Sequence, residues 1–207
     1  MPRSPSGASR GRPIVAEPVT DAALGCGCLA AAGEWQPNLT WITPDLAVGG
    51  RVPAERVAHL AETGGIGAVV DLRSEDRDDS DHLEAHGIRF LHLPTDDHGA
   101  LRPTDIDAGA AFAARAARDG RRLLVHCEHG IGRSATLALC ILVERGMEPL
   151  AALRLAKDRR DLVSPSPAQY ECWVAWLKRH PGSGPDGWAL PGFEAFKTIA
   201  YRHLLAR

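Results

Sequence analysis

Residues 126–134 read His126-Cys127-Glu128-His129-Gly130-Ile131-Gly132-Arg133-Ser134. The apolar run Leu123-Leu124-Val125 precedes this stretch, and a strongly helix-forming segment, residues 135–145, follows it. The order predicts a strand, a tight glycine-containing loop and a helix. In such an arrangement the backbone N–H groups of the loop point inward, and the helix N-terminus adds a partial positive charge. The loop is therefore predicted to form an anion-binding cradle.

Cys127 lies at the base of this predicted cradle. A free cysteine thiol has a pKa of about 8.5, and a helix N-terminus and nearby cations lower it to roughly 3.5–7.5. We therefore expect a nucleophilic thiolate at neutral pH. Arg133 is expected to hold two phosphate oxygens with its planar guanidinium, and Ser134 to donate its hydroxyl to the sulfur. The alternative, a buried structural cysteine beside a capping serine, does not account for the glycine and arginine at this spacing.

The nine residues match in full the signature His-Cys-x-x-Gly-x-x-Arg-Ser/Thr. By this signature the chain resembles the cysteine-dependent protein tyrosine phosphatase superfamily, and most closely its compact dual-specificity branch. Weaker resemblances follow in the family's order at residues 41–50, 69–75 and 159–166. The resemblance implies one α/β domain with a central, largely parallel twisted sheet flanked by helices. It also implies hydrolysis of phosphomonoesters through a phospho-Cys127 intermediate, without metal or cofactor.

The phosphate itself is expected to lie against Arg133 and the loop residues Glu128, His129, Gly130, Ile131 and Gly132. A thiolate attack also needs an acid that protonates the leaving oxygen and then activates water. Asp97 lies 30 residues before Cys127, at about the spacing of the family's acid, and Asp96 is the rival. His98 and His129 are expected at the mouth of the site, as solvated side chains.

The composition argues against a nucleic-acid-binding, membrane-spanning, disulfide-rich or zinc-binding protein. The chain has 207 residues, with 24 basic and 26 acidic side chains and a net charge of −2. This balance indicates no bulk affinity for nucleic acid or for an anionic membrane. The apolar run at residues 22–32 is too short to span a bilayer. Five scattered cysteines do not form a disulfide framework or a zinc site, so a cytoplasmic protein without bound metal is predicted.

The chain is predicted to have three parts. Residues 1–37 form a flexible N-terminal extension, 38–180 the phosphatase catalytic domain, and 181–207 a C-terminal amphipathic helical extension. The extension carries an apolar stripe at positions 193, 196, 199–200 and 203–204. We expect this stripe to fold back on the body of the protein or on the N-terminal segment. Binding of a partner or of a membrane surface is the alternative.

Local patterns predict several elements. Strands are expected at residues 66–72 and 88–93, and helices at 53–63 and 103–118, the latter capped by Thr104. Ser166 and Gln169 form a predicted capping box at the start of a later helix. The acidic run at residues 75–81 is expected to be a solvated loop rather than a metal site.

Two features of segment 159–166 depart from, or add to, the family pattern. Ser166 stands where the family has an asparagine that braces the phosphate loop, and its side chain is shorter. Arg159 and Arg160 are expected either to meet the negative charge of a substrate or to pair with an internal carboxylate.

The substrate is expected to be a phosphorylated protein, with phosphotyrosine and also phosphoserine or phosphothreonine as targets. The variable positions of the loop contain no lysine, and Glu128 disfavours a highly phosphorylated headgroup. Two alternatives stay open at this point. One is a phosphatase of inositol phosphates, phospholipids or RNA 5′ ends, and the other is a non-catalytic phosphate-binding module.

Overall fold

A five-stranded sheet organises the computed structural model, which describes residues 35–205. Its strands are β1 (Leu39–Thr43), β2 (Leu46–Gly49), β3 (Ile66–Arg73), β4 (Arg89–Thr95) and β5 (Arg122–His126). Their order across the sheet is β1-β2-β5-β3-β4. β2, β5, β3 and β4 run parallel, and β1 pairs antiparallel with β2. The predicted largely parallel sheet is confirmed.

The helices in the described part of the chain cover the sheet. They are α1 (Val57–Glu62), α2 (Ser80–Ala85), α3 (Pro103–Arg118), α4 (Arg133–Glu144), α5 (Pro149–Arg159), α6 (Pro167–Arg179), α7 (Phe193–Ala200) and α8 (Arg202–Leu205). The predicted cap of α3 is wrong, because Arg102 rather than Thr104 occupies the N-cap position. Pro103 explains the difference, since its fixed φ and missing N–H suit the first helical position.

β5 lies in the middle of the sheet between β2 and β3. Leu123, Leu124 and Val125 are fully buried, as expected for a parallel strand covered on both faces. Because β2, β5, β3 and β4 are parallel, the loops that follow them meet at one edge of the sheet. Cys127 follows β5 at the centre of this edge, where open α/β sheets bind ligands.

α4 is the central helix of the core. Every residue from Arg133 to Val143 is buried, the pattern of a helix enclosed on all sides. The first turn of α4 therefore fixes Arg133 and Ser134 on a rigid element.

The C-terminal stripe packs onto the same core. Phe196 and Ala200 of α7 are fully buried, and the Phe196 ring lies 4.8 Å from that of Tyr170. Residues from Pro37 onward cluster into one compact unit. Residues 1–34, with the apolar run at 22–32, lie outside the described part, so the three-part division of the chain stays a prediction. Within residues 35–205, no helix has the length and apolar character needed to cross a membrane.

Candidate active site

Cys127 begins the six-residue segment between β5 and α4, here called the cradle loop (residues 127–132). Its side chain is buried, with Ser134 Oγ at 3.4 Å from Sγ. The backbone N–H of Gly130 donates to Sγ at 3.3 Å. Burial alone raises the pKa of the Cys127 thiol, but hydrogen bonds from Ser134 and Gly130 and the charge of Arg133 outweigh it. The net pKa lies below the ordinary value, which favours the thiolate.

The carbonyl groups of the cradle loop point outward. Four of them accept hydrogen bonds from other elements: Glu128 O from Arg51 N, His129 O from Arg160 Nη2, Gly130 O from Arg160 Nε and Ile131 O from Ser164 N. A planar trans peptide directs its N–H opposite to its C=O. The N–H groups of residues 129–132 therefore turn inward, toward the space above the sulfur.

Arg160 holds the cradle loop from beneath. Its Nε lies 2.8 Å from Gly130 O and its Nη2 lies 2.9 Å from His129 O. Nη2 also donates to Asn38 Oδ1 at 2.7 Å. Both expectations for this arginine are wrong, since its donors are occupied by two backbone carbonyls and by the side-chain oxygens of Asn38 and Thr40 rather than by a substrate or a carboxylate. Arg159 is exposed.

Arg133 is fixed by a carboxylate that the sequence did not single out. Its Nη1 and Nη2 each donate to Glu75 at 2.7 Å, and Nη1 also donates to Thr95 O at 2.9 Å. The hydrogen bonds with Arg133 lower the pKa of Glu75 to about 2. Arg133 Nε is buried without a partner among the described residues, which leaves one donor for an incoming anion. The sequence feature that could have identified Glu75 as a site residue is its position, because it follows β3, which ends at the same edge of the sheet as β5.

The loop of residues 96–99, here called the aspartate loop, carries both candidate acids, and their side chains have different partners. Asp97 Oδ1 lies 3.2 Å from Arg133 Nη2, and Asp97 lines the same cavity as Cys127. Asp96 Oδ1 instead accepts a hydrogen bond from Ser74 Oγ at 2.9 Å. The geometry thus brings Asp97 to the thiol and leaves Asp96 outside the cavity.

The cavity above the sulfur is small, with a volume of about 70 Å³. It is lined by Asp97, His98, Cys127, His129, Ile131, Gly132, Ser164 and Gln169. Both histidines are exposed, as expected for the mouth of the site. A larger hollow of about 770 Å³ lies along β4, but none of its lining residues approaches the thiol.

Gln169 joins the cavity through the predicted capping box. Its Oε1 accepts from Ser166 N at 2.8 Å, and Ser166 Oγ accepts from Gln169 N at 3.2 Å, which confirms the box. The Gln169 amide lies so close to the cradle loop that a Cβ on Gly132 would come within 2.4 Å of its Oε1. A side chain at position 132 would therefore displace the amide of Gln169 from its place beside the cradle loop.

A buried ion network supports the end of β5. Donor and acceptor atoms of Asp71, Asp78 and His126 lie within 4.8 Å of one another, an arrangement that could also hold a cation. Arg73 Nη2, however, bonds Asp71 at 2.9 Å and Asp78 at 2.6 Å. Burial lowers the pKa of His126, but its hydrogen bond with Asp78 and the two carboxylates outweigh this and raise it. We assign the group to an ion-pair network that orients His126.

The acidic run is therefore only partly a solvated loop. Glu75 bonds Arg133, while Asp76 and Asp78 bond Arg73. Asp79 caps α2 by accepting from the N–H groups of Asp81 and His82. Tertiary ion pairs account for these carboxylates, and such pairs leave no periodicity in the sequence.

A buried cysteine with a lowered pKa beneath inward-facing amides, and an arginine at the start of the following helix, are the features of a cysteine-dependent phosphatase. The family model for the catalytic domain of dual specificity phosphatases matches residues 51–178. The chain belongs to this family.

Three relatives illustrate the range of similarity. Human dual specificity protein phosphatase 4 is 30% identical over 156 residues, which cover 74% of this chain and 38% of that protein. The phosphatidylglycerophosphate phosphatase PTPMT2 of Arabidopsis thaliana is 32% identical over 124 residues, 58% of this chain and 54% of that protein. The crystal structure of Tk-PTP in its active form superposes with a TM-score of 0.64 at 24% identity, covering 70% of this chain and 99% of that chain. The chain thus spans only part of the length of both curated relatives.

Proposed function

We propose that this protein is a phosphoprotein phosphatase that acts on phosphotyrosine, and also on phosphoserine and phosphothreonine, through a phospho-Cys127 intermediate. The observation that carries the proposal is the buried Cys127 sulfur, with its lowered pKa, in one cavity with Asp97. The phosphate oxygens bind the N–H groups of residues 129–132 and the guanidinium of Arg133. These donors are fixed in place before the reaction, so they stabilise the charge of the transition state without reorganisation.

The reaction has two steps. First, the Cys127 thiolate attacks phosphorus and the S–P bond forms while the bond from phosphorus to the leaving oxygen breaks. Asp97 gives its proton to that oxygen. In the second step Asp97, now a carboxylate, takes a proton from water, whose oxygen bonds to phosphorus while the S–P bond breaks; inorganic phosphate is released and Cys127 leaves as the thiolate. The hydroxyl of Ser134 donates to the departing sulfur.

The charge around the cavity supports a protein substrate. Glu128 lies in the cradle loop, 3.2 Å from Arg51 and 3.8 Å from Arg73. The side chains that line the cavity include no lysine or arginine. Arg51 and Arg73 are already paired with Glu128, so the additional phosphates of a multiply phosphorylated headgroup would meet this carboxylate and cations that are engaged with it. A single phosphorylated side chain avoids this repulsion.

A phospholipid is the second candidate substrate, because PTPMT2, at 32% identity, is a phosphatidylglycerophosphate phosphatase. A panel of phosphopeptides, inositol phosphates, 5′-phosphorylated RNA and phospholipid vesicles separates the classes. We expect the highest kcat/KM with phosphopeptides. A preference for vesicles of phosphatidylglycerophosphate would overturn the substrate class but not the chemistry.

The covalent route is tested with Cys127→Ser. We expect no turnover of p-nitrophenyl phosphate, because the serine hydroxyl is not ionised in this loop, while tungstate binding by calorimetry persists. Cys172→Ser is the matched control, since Cys172 lies on α6 outside the cavity, and its turnover stays at the wild-type rate. Substantial turnover by purified Cys127→Ser would refute the intermediate. A wild-type protein that binds tungstate without turnover would instead be a phosphate-binding module.

We also propose a cytoplasmic location. Cys127, Cys140 and Cys172 are all free thiols, and a low-pKa thiolate stays reduced in that compartment.

A further inference from the structure

The C-terminal helices follow the region matched by the family model, which ends at residue 178, yet they contact the active-site scaffold. α7 is anchored by Phe196, which is fully buried with its ring 6.2 Å from that of Trp173. α8 is tied to α5 by Arg202, whose Nη2 donates to Lys157 O at 3.1 Å. The C-terminal end of α7 is therefore held firmly against the body.

Three consecutive residues, 164–166, contact both the cradle loop and the aspartate loop; we call them the junction. The backbone N–H of Ser164 donates to Ile131 O of the cradle loop at 2.9 Å. Ser166 Oγ donates to His98 O of the aspartate loop at 2.8 Å. A shift of the junction would therefore move the amides that bind phosphate and also the neighbour of Asp97.

The C-terminal segment forms hydrogen bonds with the junction. Ser164 Oγ donates to Ala200 O at 3.1 Å, and Tyr201 Oη donates to Pro165 O at 2.6 Å. Pro165 is buried and has no N–H, so its carbonyl is the polar group through which the middle of the junction is held. Ser166 does not reach the cradle loop as the family's asparagine does, and the tie from Tyr201 offers a second route of support.

We propose that Tyr201 is a positioning residue for phosphoryl transfer. Its hydroxyl holds the junction, so that the cradle loop and the aspartate loop keep the separation the reaction requires. Reaction rates respond steeply to displacements of about 1 Å between reacting groups. The inference rests on the proposed phosphatase function, because the geometry it maintains is that of Cys127 and Asp97.

Tyr201→Phe tests the proposal, since it removes one hydrogen bond and keeps the ring that packs beside Phe196. Tyr170→Phe is the matched control. Tyr170 Oη also donates to a proline carbonyl, Pro191 O at 2.8 Å, and its ring also packs on Phe196, but this bond does not reach the junction. A loss that reflects only looser docking of α7 would occur in both variants.

We expect kcat/KM for p-nitrophenyl phosphate to fall about three- to tenfold in Tyr201→Phe, the effect of one lost hydrogen bond. Tungstate affinity should fall, and the pH midpoint of Cys127 alkylation by iodoacetamide should rise, because the loop amides no longer converge. Tyr170→Phe should match the wild type in all three measurements. Equal effects in the two variants, or a Tyr201→Phe variant with wild-type values, would overturn the proposal.

The two proposals fail in distinguishable ways. If the wild-type protein turns over no substrate, the phosphatase function fails, but tungstate affinity and alkylation still report whether Tyr201 positions the loop. If the wild type is active and the two tyrosine variants are alike, only the role of Tyr201 is lost. A thermal melt of each variant shows that the comparison is made between folded proteins.

Discussion

Arg133 owes its orientation to Glu75, which lies 58 positions earlier in the chain. Two parallel hydrogen bonds from one guanidinium to one carboxylate fix the plane of the fork as well as its position. The arrangement leaves Nε without a partner in the described residues. A phosphate oxygen can thus bind a guanidinium that is already aligned.

Glu75→Gln tests this alignment. We expect kcat/KM to fall about tenfold, the effect of losing one charge-assisted hydrogen bond. Because the pKa of Glu75 is lowered from 4.5 to about 2, its contribution to stability is fully present above pH 4.5. That contribution is lost as the pH falls through 2.

Urea unfolding at several pH values checks the prediction for Glu75. The difference in the free energy of unfolding between wild type and Glu75→Gln should be largest at neutral pH and should shrink toward pH 2. The exposed Glu84 of α2 supplies the control, Glu84→Gln, which should show no such trend. A difference that stays constant down to pH 2 would rule out the ion pair as its origin.

At the scale of elements, the active site is made of loops at one sheet edge, each fixed by a different partner. The cradle loop is held by Arg160, and the aspartate loop by Ser166. His98 has a positive φ of 58°, an uncommon conformation for a residue other than glycine. The bond from Ser166 to the His98 carbonyl stabilises this turn, and Asp97 faces Arg133 as a result.

Asp97→Asn and Asp96→Asn form a matched pair within this loop. We expect Asp97→Asn to lower kcat by about 10²–10⁴-fold on phenyl phosphate and by less on p-nitrophenyl phosphate, whose better leaving group needs less protonation. Asp96→Asn should keep the wild-type kcat, and the opposite ranking would assign the acid to Asp96.

The elements could be predicted from sequence to different extents. Some features are local patterns, namely the apolar runs of β3 and β5 and the signature between β5 and α4. These patterns were enough to place Cys127, Arg133 and Ser134 at the candidate site. The strands β1 and β2 were not predicted, because residues 41–50 were recognised only by their weak resemblance to the family. Glu75 and Gln169 were missed as site residues, and Arg160 was assigned the wrong partners, because the contacts join distant parts of the chain and a single sequence does not record them.

At the scale of the whole molecule, the core extends past the matched family region to the C-terminal helices. Of the predicted stripe, positions 196 and 200 are buried and 199 is half-buried, whereas Phe193 and Leu204 are exposed, so the stripe marks the buried face only in part. The sequence alone could not say what covers the stripe, because an amphipathic pattern specifies a face but not its partner. In the structure α6 supplies the aromatic residues that pack against Phe196, Tyr170 and Trp173.

Phe196→Ala should lower the free energy of unfolding by about 3–5 kcal/mol, as for other buried phenylalanines. Phe193, on the same helix, is 37% exposed, and Phe193→Ala should cost clearly less. Urea denaturation of the two variants measures both values. Equal, small losses would mean that α7 contributes little to the stability of the core.

The outward-facing carbonyls of the cradle loop have a consequence for solvent exchange. The N–H groups of residues 129, 131 and 132 have no acceptor within residues 35–205, so no hydrogen bond in that part of the chain protects them from exchange with deuterium. An oxyanion seated on the sulfur supplies that protection. Deuterium uptake by the peptide that contains the cradle loop, measured by mass spectrometry, therefore reports occupancy of the site directly. The measurement needs no chromogenic substrate and also works with a variant that cannot turn over substrate.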